Sequence, residues 1–272
     1  MRTEESMLDT TVTYLASMPE RPVYYFYDPP PGVPWRNTKG DRRPVRVHDA
    51  RALAPAPALD REGFMVATLR TAASDLYDPA AVREIYYREV ERLVREITGA
   101  ARVLAFDHNV RCAARAVPGE RGIQPPVRFA HNDYTEGSGP QRVRDLLGEE
   151  APTLLRRRVA VINVWKPIRG PVREAPLAVC DARSIGSDDF VPTDLNYRDR
   201  TGEVYSLRFN PAHRWYYYLA MQADEAMLLK CFDSDRAHAR FTAHTAVDDP
   251  ASPPDAPARE SIEVRTLAFF AP

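Results

Sequence analysis

The chain has 272 residues, 37 basic and 38 acidic side chains, a formal charge of −1 and an apolar fraction of 44%. Near-neutral charge excludes a nucleic-acid binder working through bulk positive charge and a polybasic membrane anchor; the apolar fraction excludes a disordered chain. Proline is the odd feature, 25 residues against 12 glycines; it blocks helix interiors and central strands, which excludes a helical bundle or solenoid and requires many ordered loops.

The length suits one domain with a large core. The expectation is a single domain over 1–272, with strands and proline-rich loops over 1–75 and a helix plus a β-rich core over 76–272. The start, MRTEESMLDTTVTYL, is acidic and interrupted, unlike a secretory signal. No apolar run approaches the roughly 18 residues of a membrane span. Residues 12–15 and 45–47 read as strands, separated by the aromatic, proline-rich stretch YYFYDPPPGVPWRNTKGD; a second such stretch, ALAPAPALD, follows Arg51. Asp78-Pro79 is an N-cap followed by proline at the first helical position. From there Val82, Ile85, Tyr86, Val90, Leu93, Val94 and Ile97 recur at helical spacing up to Gly99, which predicts an amphipathic helix with one buried stripe.

Beyond residue 100 the pattern turns to strands, predicted at 102–107, 127–133, 158–165, 176–181, 203–209, 214–219, 226–232, 239–246 and 261–270, with one short helix near 141–148. Short strands bounded by Gly, Pro, Asp or Asn at fairly even spacing predict a sandwich or jelly roll, with the helix packed outside one sheet. Cys112, Cys180 and Cys231 form no CxxC pair and read as three reduced thiols in a cytoplasmic protein.

Of the six histidines, only His131 has a carboxylate two residues on, in His131-Asn132-Asp133. In a strand, residues i and i+2 share a face, so this pair can hold one ion. The bland alternative is a hydrogen-bonded pair at a strand end. A second histidine on a distant strand would complete a 2-His-1-carboxylate face, which leaves open positions on the metal and marks non-haem Fe(II) oxygenases. His244 lies on a predicted strand. Arg259 and Ser261 share a face of the next one, where a guanidinium and a hydroxyl make a receptor for a small carboxylate. His213 is an alternative ligand by residue type, but no Arg-x-Ser follows it.

The segments RVLAFDHNVR, HNDYT, INVWKPIRGPVREAPLAVCDARS, FNPAHRWYYYLAMQADEAMLLKCFDS, RFTAHTAV and RESIEVR resemble the Fe(II)/2-oxoglutarate-dependent oxygenases. The branch resembled contains the cephem methoxylation hydroxylase component, aspergillic acid hydroxylase and fungal gibberellin desaturase. The resemblance runs from about residue 76 to the end, and more loosely through the N-terminal quarter. It implies a mainly β fold with some α: a double-stranded β-helix (jelly roll) with flanking helices. It implies His131, Asp133 and His244 as iron ligands, Arg259 as the residue holding the distal carboxylate of 2-oxoglutarate and Ser261 as its helper. Ala243 and Val247 stand where the family pattern has Pro and Phe. Fe(II), 2-oxoglutarate and O2 are the implied cofactors, and the implied reaction is oxidation of an unactivated C–H to an alcohol, an alkene or a ring.

Asn163 and Trp165 alternate with Ile162 and Val164 on their strand. Asn163 is the candidate for the site, as an amide to the cofactor carboxylate or a support to the metal; Trp165 reads as core. Arg183, Arg214, His108 and Arg111 are weaker candidates for a pocket rim, His48 and His238 read as loop or surface residues, and Arg214-Trp215-Tyr216-Tyr217-Tyr218 reads as packing rather than a platform for bases. The expected partner is a small polar molecule of specialised metabolism, amino-acid-derived or carboxylate-bearing, with no nucleic acid, no membrane and no oligomeric state set by the sequence. The competing readings are a jelly-roll binder without redox chemistry and an iron oxidase that does not use 2-oxoglutarate. The stretch 250–257 links the His244 strand to the Arg259 strand, while prolines 29–34 with Pro55 and Pro57 are a candidate lid.

Overall fold

A computed structural model describes residues 7–117 and 122–271. In chain order the elements are β1 (Met7–Leu15), β2 (Val23–Tyr25), β3 (Gly40–Asp49), β4 (Phe64–Thr68), α1 (Pro79–Ala81), α2 (Tyr87–Thr98), β5 (Arg102–Cys112), β6 (His131–Asn132), α3 (Ser138–Leu147) and α4 (Ala151–Leu154). The remaining strands are β7 (Val159–Pro167), β8 (Leu177–Cys180), β9 (Phe190–Asn196), β10 (Thr201–Leu207), β11 (Trp215–Tyr217), β12 (Glu225–Asp233), β13 (His244–Ala246) and β14 (Glu260–Phe269). They form a nine-stranded sheet, β1-β3-β11-β8-β13-β6-β10-β9-β2, and a five-stranded sheet, β4-β12-β7-β14-β5. The two face each other as a jelly roll.

The five-stranded sheet has two unlike faces. β7 is buried along its whole length, and alternation sends Ile162 and Val164 outward and Val161, Asn163 and Trp165 inward. The outer face is capped by helix. Asp78 accepts from the N–H groups of Ala80 and Ala81, Pro79 opens α1, and Gly99 closes α2 at φ 70°, a left-handed position that suits glycine. Between α1 and α2 the residues Val82–Tyr86 form a π turn. The buried side chains on this helical stretch then fall every fourth residue, at Val82, Tyr86, Val90 and Val94, and Ile85 is turned out to 37% exposure. A 3.6-residue period places Ile85 on the buried stripe; the wider turn moves it off. Each buried member contributes about 1.5–3 kcal/mol, and they pack on Ile162, Val164, Ile262 and Val264.

Most predicted strands are present, with instructive differences. The predicted strand 127–133 pairs regularly only at His131–Asn132, and 239–246 only at His244–Ala246. Elsewhere these segments split their bonds among unlike partners: Ala130 donates to Thr13 and accepts from Leu207, while the Thr242 N–H donates to the side-chain oxygen of Asn132. β9, sequence FVPTDLN, is absent from the predicted strands, and it contains Pro192, a residue rarely placed inside a sheet. The Asp194 N–H points to Pro22 at the start of β2, and Pro192 lies two residues further along that edge, outside the stretch paired with β2, where no partner needs its missing N–H.

Candidate metal and 2-oxoglutarate site

His131 on β6 and His244 on β13 are directly opposed in the sheet, their ring centroids 4.5 Å apart. Each imidazole is fixed the same way. His131 Nδ1 lies 2.8 Å from the Phe129 carbonyl oxygen and His244 Nδ1 lies 3.2 Å from that of Thr242. A carbonyl can only accept, so both Nδ1 atoms carry a proton and Nε2 is left as the ligand atom of each ring. Asp133, just past β6, brings Oδ1 to 3.4 Å from His131 Nε2. One ligand atom from each of the three residues falls within a 4.8 Å cluster. Two imidazoles and a carboxylate on one side of a point are the donor set that fits Fe(II) once the metal displaces the His131 proton.

The charges suit that use. Burial raises the Asp133 carboxyl, but the Arg265 guanidinium and His131 outweigh it and hold the group well below the usual carboxylate range. Burial, reinforced by the charge of His131, pushes His244 down to about 4, so it is a neutral ligand at physiological pH. Burial also lowers His131, but the hydrogen bond and charge of Asp133 leave it raised overall.

The inner face of β14 carries Arg259, Ser261, Glu263 and Arg265, each two residues from the last. Arg259 is buried, its ring neighbour is Trp165 at 5.4 Å, and its Nη1 donates to the Ala175 carbonyl at 2.5 Å. Burial lowers it to about 10, still a cation at neutral pH. Its Nε and the hydroxyl of Ser261 are buried with no protein partner among the described residues. Such groups are costly unless a ligand satisfies them, and a carboxylate would accept from both. The residues present thus fit 2-oxoglutarate as well as iron. Asn163 gives its amide N–H to Asp133 Oδ2 at 2.8 Å, which sets it beside a member of the candidate cluster, while its own Oδ1 is unpartnered among the described residues.

Arg265 was missed in the sequence. It donates from Nε to the same Asp133 Oδ2 at 2.9 Å. The signal was present in the two-residue period that already selected Arg259 and Ser261. Arg111 sits opposite Ser261 across the β5–β14 pair and faces the same interior. The other candidates go elsewhere. His108 Nδ1 meets the Tyr87 hydroxyl at 2.8 Å beneath α2. Arg183 and Arg214 both pair with the buried Asp181. His213 stacks on Tyr14 and meets Asp189 at 3.1 Å, so it is not a third histidine of the cluster. His48 lies against Tyr216, and His238 pairs with Asp235. Tyr216, Tyr217 and Tyr218 alternate between the faces of their sheet, with Tyr218 against the inter-sheet core and Tyr217 on the far side, which bears out packing over a stacking platform.

Comparison with known proteins agrees with this geometry. Residues 12–269 match the family model described as YDMC: Oxidoreductase/YMDC permease-like domain. The chain is 35% identical over 257 residues to the Fe(II)/2-oxoglutarate-dependent dioxygenase nvfI of Aspergillus novofumigatus, covering 91% of this chain and 90% of the relative. It is 32% identical to the hydroxylase/desaturase efuI of Hormonema carpetanum, with 85% of each chain covered. Among solved structures, the iron and alpha-ketoglutarate-dependent endoperoxidase NvfI superposes with a TM-score of 0.88 at 31% identity, covering 99% of this chain and all of the other. The chain belongs to the Fe(II)/2-oxoglutarate-dependent dioxygenases. Its cofactors are Fe(II) and 2-oxoglutarate, with O2 as co-substrate. Among the described residues no helix is long and apolar enough to cross a membrane.

Proposed function

We propose that His131, Asp133 and His244 hold Fe(II), that Arg259 and Ser261 hold the distal carboxylate of 2-oxoglutarate, and that the enzyme oxidises an unactivated C–H of a small carboxylate-bearing molecule in specialised metabolism. The observation that carries this is the convergence of one nitrogen from each imidazole and one Asp133 oxygen within 4.8 Å, beside the unpartnered Nε of Arg259 and hydroxyl of Ser261. Bound iron, 2-oxoglutarate and O2 together supply an oxidant able to take a hydrogen atom from an unreactive carbon, with succinate and CO2 released. The protein's own work is placement. The Phe129 and Thr242 carbonyls hold both imidazoles in one tautomer, Asn163 steadies Asp133, and Trp165 backs the Arg259 guanidinium so that the keto acid lies in one direction.

The names of the relatives, a hydroxylase/desaturase of Cercospora beticola and an aspirochlorine biosynthesis protein of Aspergillus oryzae among them, support a substrate from specialised metabolism. Arg111 supports a carboxylate on it. Its side chain faces the interior, its guanidinium donates to the Pro125 carbonyl at 3.4 Å, and among the described residues no carboxylate forms an ion pair with it, Glu263 acting on it only at longer range. A half-buried cation gains from a partner of opposite charge, and a substrate carboxylate would pair this one. Prolines 29–34 with Pro55 and Pro57 are read as a stiff lid over the pocket, with Phe26 and Trp35 exposed beside the first stretch. The three cysteines are free and buried, which supports a reducing, cytoplasmic setting. The test is Fe(II)-dependent succinate release from 2-oxoglutarate by purified protein, with and without candidate substrates. The reading expects slow release without substrate and faster release with one. Release that continues with EDTA present would overturn it.

A further inference from the structure

We infer that Arg265 is a positioning residue which, with Asn163, restricts Asp133 to binding the metal through one oxygen. The inference rests on the reading of His131, Asp133 and His244 as the iron site. Asp133 Oδ2 already accepts from Asn163 Nδ2 at 2.8 Å and from Arg265 Nε at 2.9 Å, while Oδ1 is the oxygen nearest His131 Nε2. Both donors come from one cross-strand pair, because Arg265 on β14 is opposite Asn163 on β7. Directly opposed side chains begin about 5 Å apart, close enough for an amide and a guanidinium to meet on one atom.

Arg265 is itself held in place. Its Nη1 lies 2.9 Å from Asp107 and its Nη2 lies 3.5 Å from Glu263. The β14–β5 register slips between Arg265 and Thr266, a local bulge of the kind that re-aims a side chain. The guanidinium is therefore fixed from two sides as well as by Asp133. To ligate through both oxygens, Asp133 would have to give up two hydrogen bonds, one of them charge-assisted.

The consequence is functional. A carboxylate that ligates through one oxygen leaves three adjacent positions on the metal, enough for a two-point keto acid and O2; a carboxylate that ligates through both fills one of them. Arg265 would then act mainly on 2-oxoglutarate binding and less on metal binding. Lysine at this position keeps the charge but lacks the flat fork.

The test compares wild type, Arg265→Lys, Asn163→Ala and the double variant under anaerobic conditions. Three quantities are read: the Fe(II) Kd by chelator competition, the 2-oxoglutarate Kd from the visible charge-transfer band, and the thermal midpoint. Arg158→Lys, at the ion pair with buried Asp233 far from the cluster, is the control for a purely structural arginine. The expected result is a 2-oxoglutarate Kd raised about tenfold in Arg265→Lys and further in the double variant, with the Fe(II) Kd changed much less. Arg158→Lys should lower the midpoint and leave the 2-oxoglutarate Kd alone. A wild-type 2-oxoglutarate Kd in both Arg265→Lys and Asn163→Ala overturns the inference, as does an equal loss of Fe(II) and 2-oxoglutarate affinity. Should Arg265→Lys not fold, Asn163→Ala, which removes one of the two donors, decides alone. A wild type that binds no Fe(II) overturns the site reading itself, and this inference with it.

Discussion

The two faces of the five-stranded sheet divide the work of the molecule between alternate residues of the same strands. Outward, Ile162, Val164, Ile262 and Val264 pack beneath Val82, Tyr86, Val90 and Val94 in an apolar layer. Inward, Asn163, Arg259 and Ser261 are buried and Glu263 and Arg265 half-buried, a mostly charged set on the side of His131, Asp133 and His244. Here burial raises the Glu263 carboxyl, reinforced by the nearby charge of Asp133, and leaves Arg259 and Ser261 with unspent hydrogen-bonding atoms. The outer face carries the favourable burial that holds β7 and β14 in register. The inner face is costly for stability, and its open atoms, the Arg259 Nε and the Ser261 hydroxyl, gain partners only when ligands arrive. A strand of period two lets one backbone satisfy both demands.

If this division is real, substitutions on the two faces should separate function from stability. The largest effect is expected for His131→Ala or Asp133→Ala: Fe(II) binding and succinate release fall below detection, with a thermal midpoint near that of wild type for His131→Ala and a lower one for Asp133→Ala, which leaves the Arg265 guanidinium without its partner. Next is Arg259→Met, which removes a charged donor and should cost about 2 kcal/mol of 2-oxoglutarate binding, or roughly thirtyfold in Kd by titration of the anaerobic complex. On the outer face, Val264→Ala should lose about 2 kcal/mol of stability in urea unfolding, with the 2-oxoglutarate Kd unchanged; a large change in that Kd would mean the faces are not independent. A smaller effect is expected for Arg111→Met. It should raise the ligand-free midpoint slightly and abolish any preference for phenylacetate over phenylacetamide in perturbing the Fe(II)/2-oxoglutarate band. Equal binding of acid and amide by wild type would remove the carboxylate proposal.

The smallest effect lies away from both faces. Burial lowers the pKa of His213, only partly offset by Asp189. Unfolded, a histidine titrates near 6.5, so below that pH the unfolded chain takes up a proton that the folded one resists. Stability should therefore be full above about pH 6.5 and decline as pH falls through the lower folded pKa. His213→Gln should flatten that decline in a series of urea melts.

Much of this arrangement was readable from residue order because its grammar is local. A carboxylate two residues after a strand histidine, a second histidine downstream and an arginine two residues before a serine lie on β6, β13 and β14 or beside them. The Asp78 cap, Pro79 and Gly99 likewise marked the helix ends. What escaped depends on tertiary context. β9 contains a proline whose missing N–H costs nothing where β2 does not reach. Ile85 was drawn into the buried stripe because a π turn leaves no clear mark in the sequence. The strands around His131 and His244 read too long because their backbones bond to loops and side chains. Arg265 was legible in principle as the fourth inward residue of β14, but only the partner strand β7 shows that it and Asn163 share one oxygen of Asp133.

The most direct test of the central claim is the visible spectrum of the protein with Fe(II) and 2-oxoglutarate under argon, recorded for wild type and His131→Ala. A weak charge-transfer band in wild type that is absent from a folded His131→Ala variant is the predicted result. A wild type without the band, or a variant that keeps it, would contradict a metal centre built on His131, Asp133 and His244.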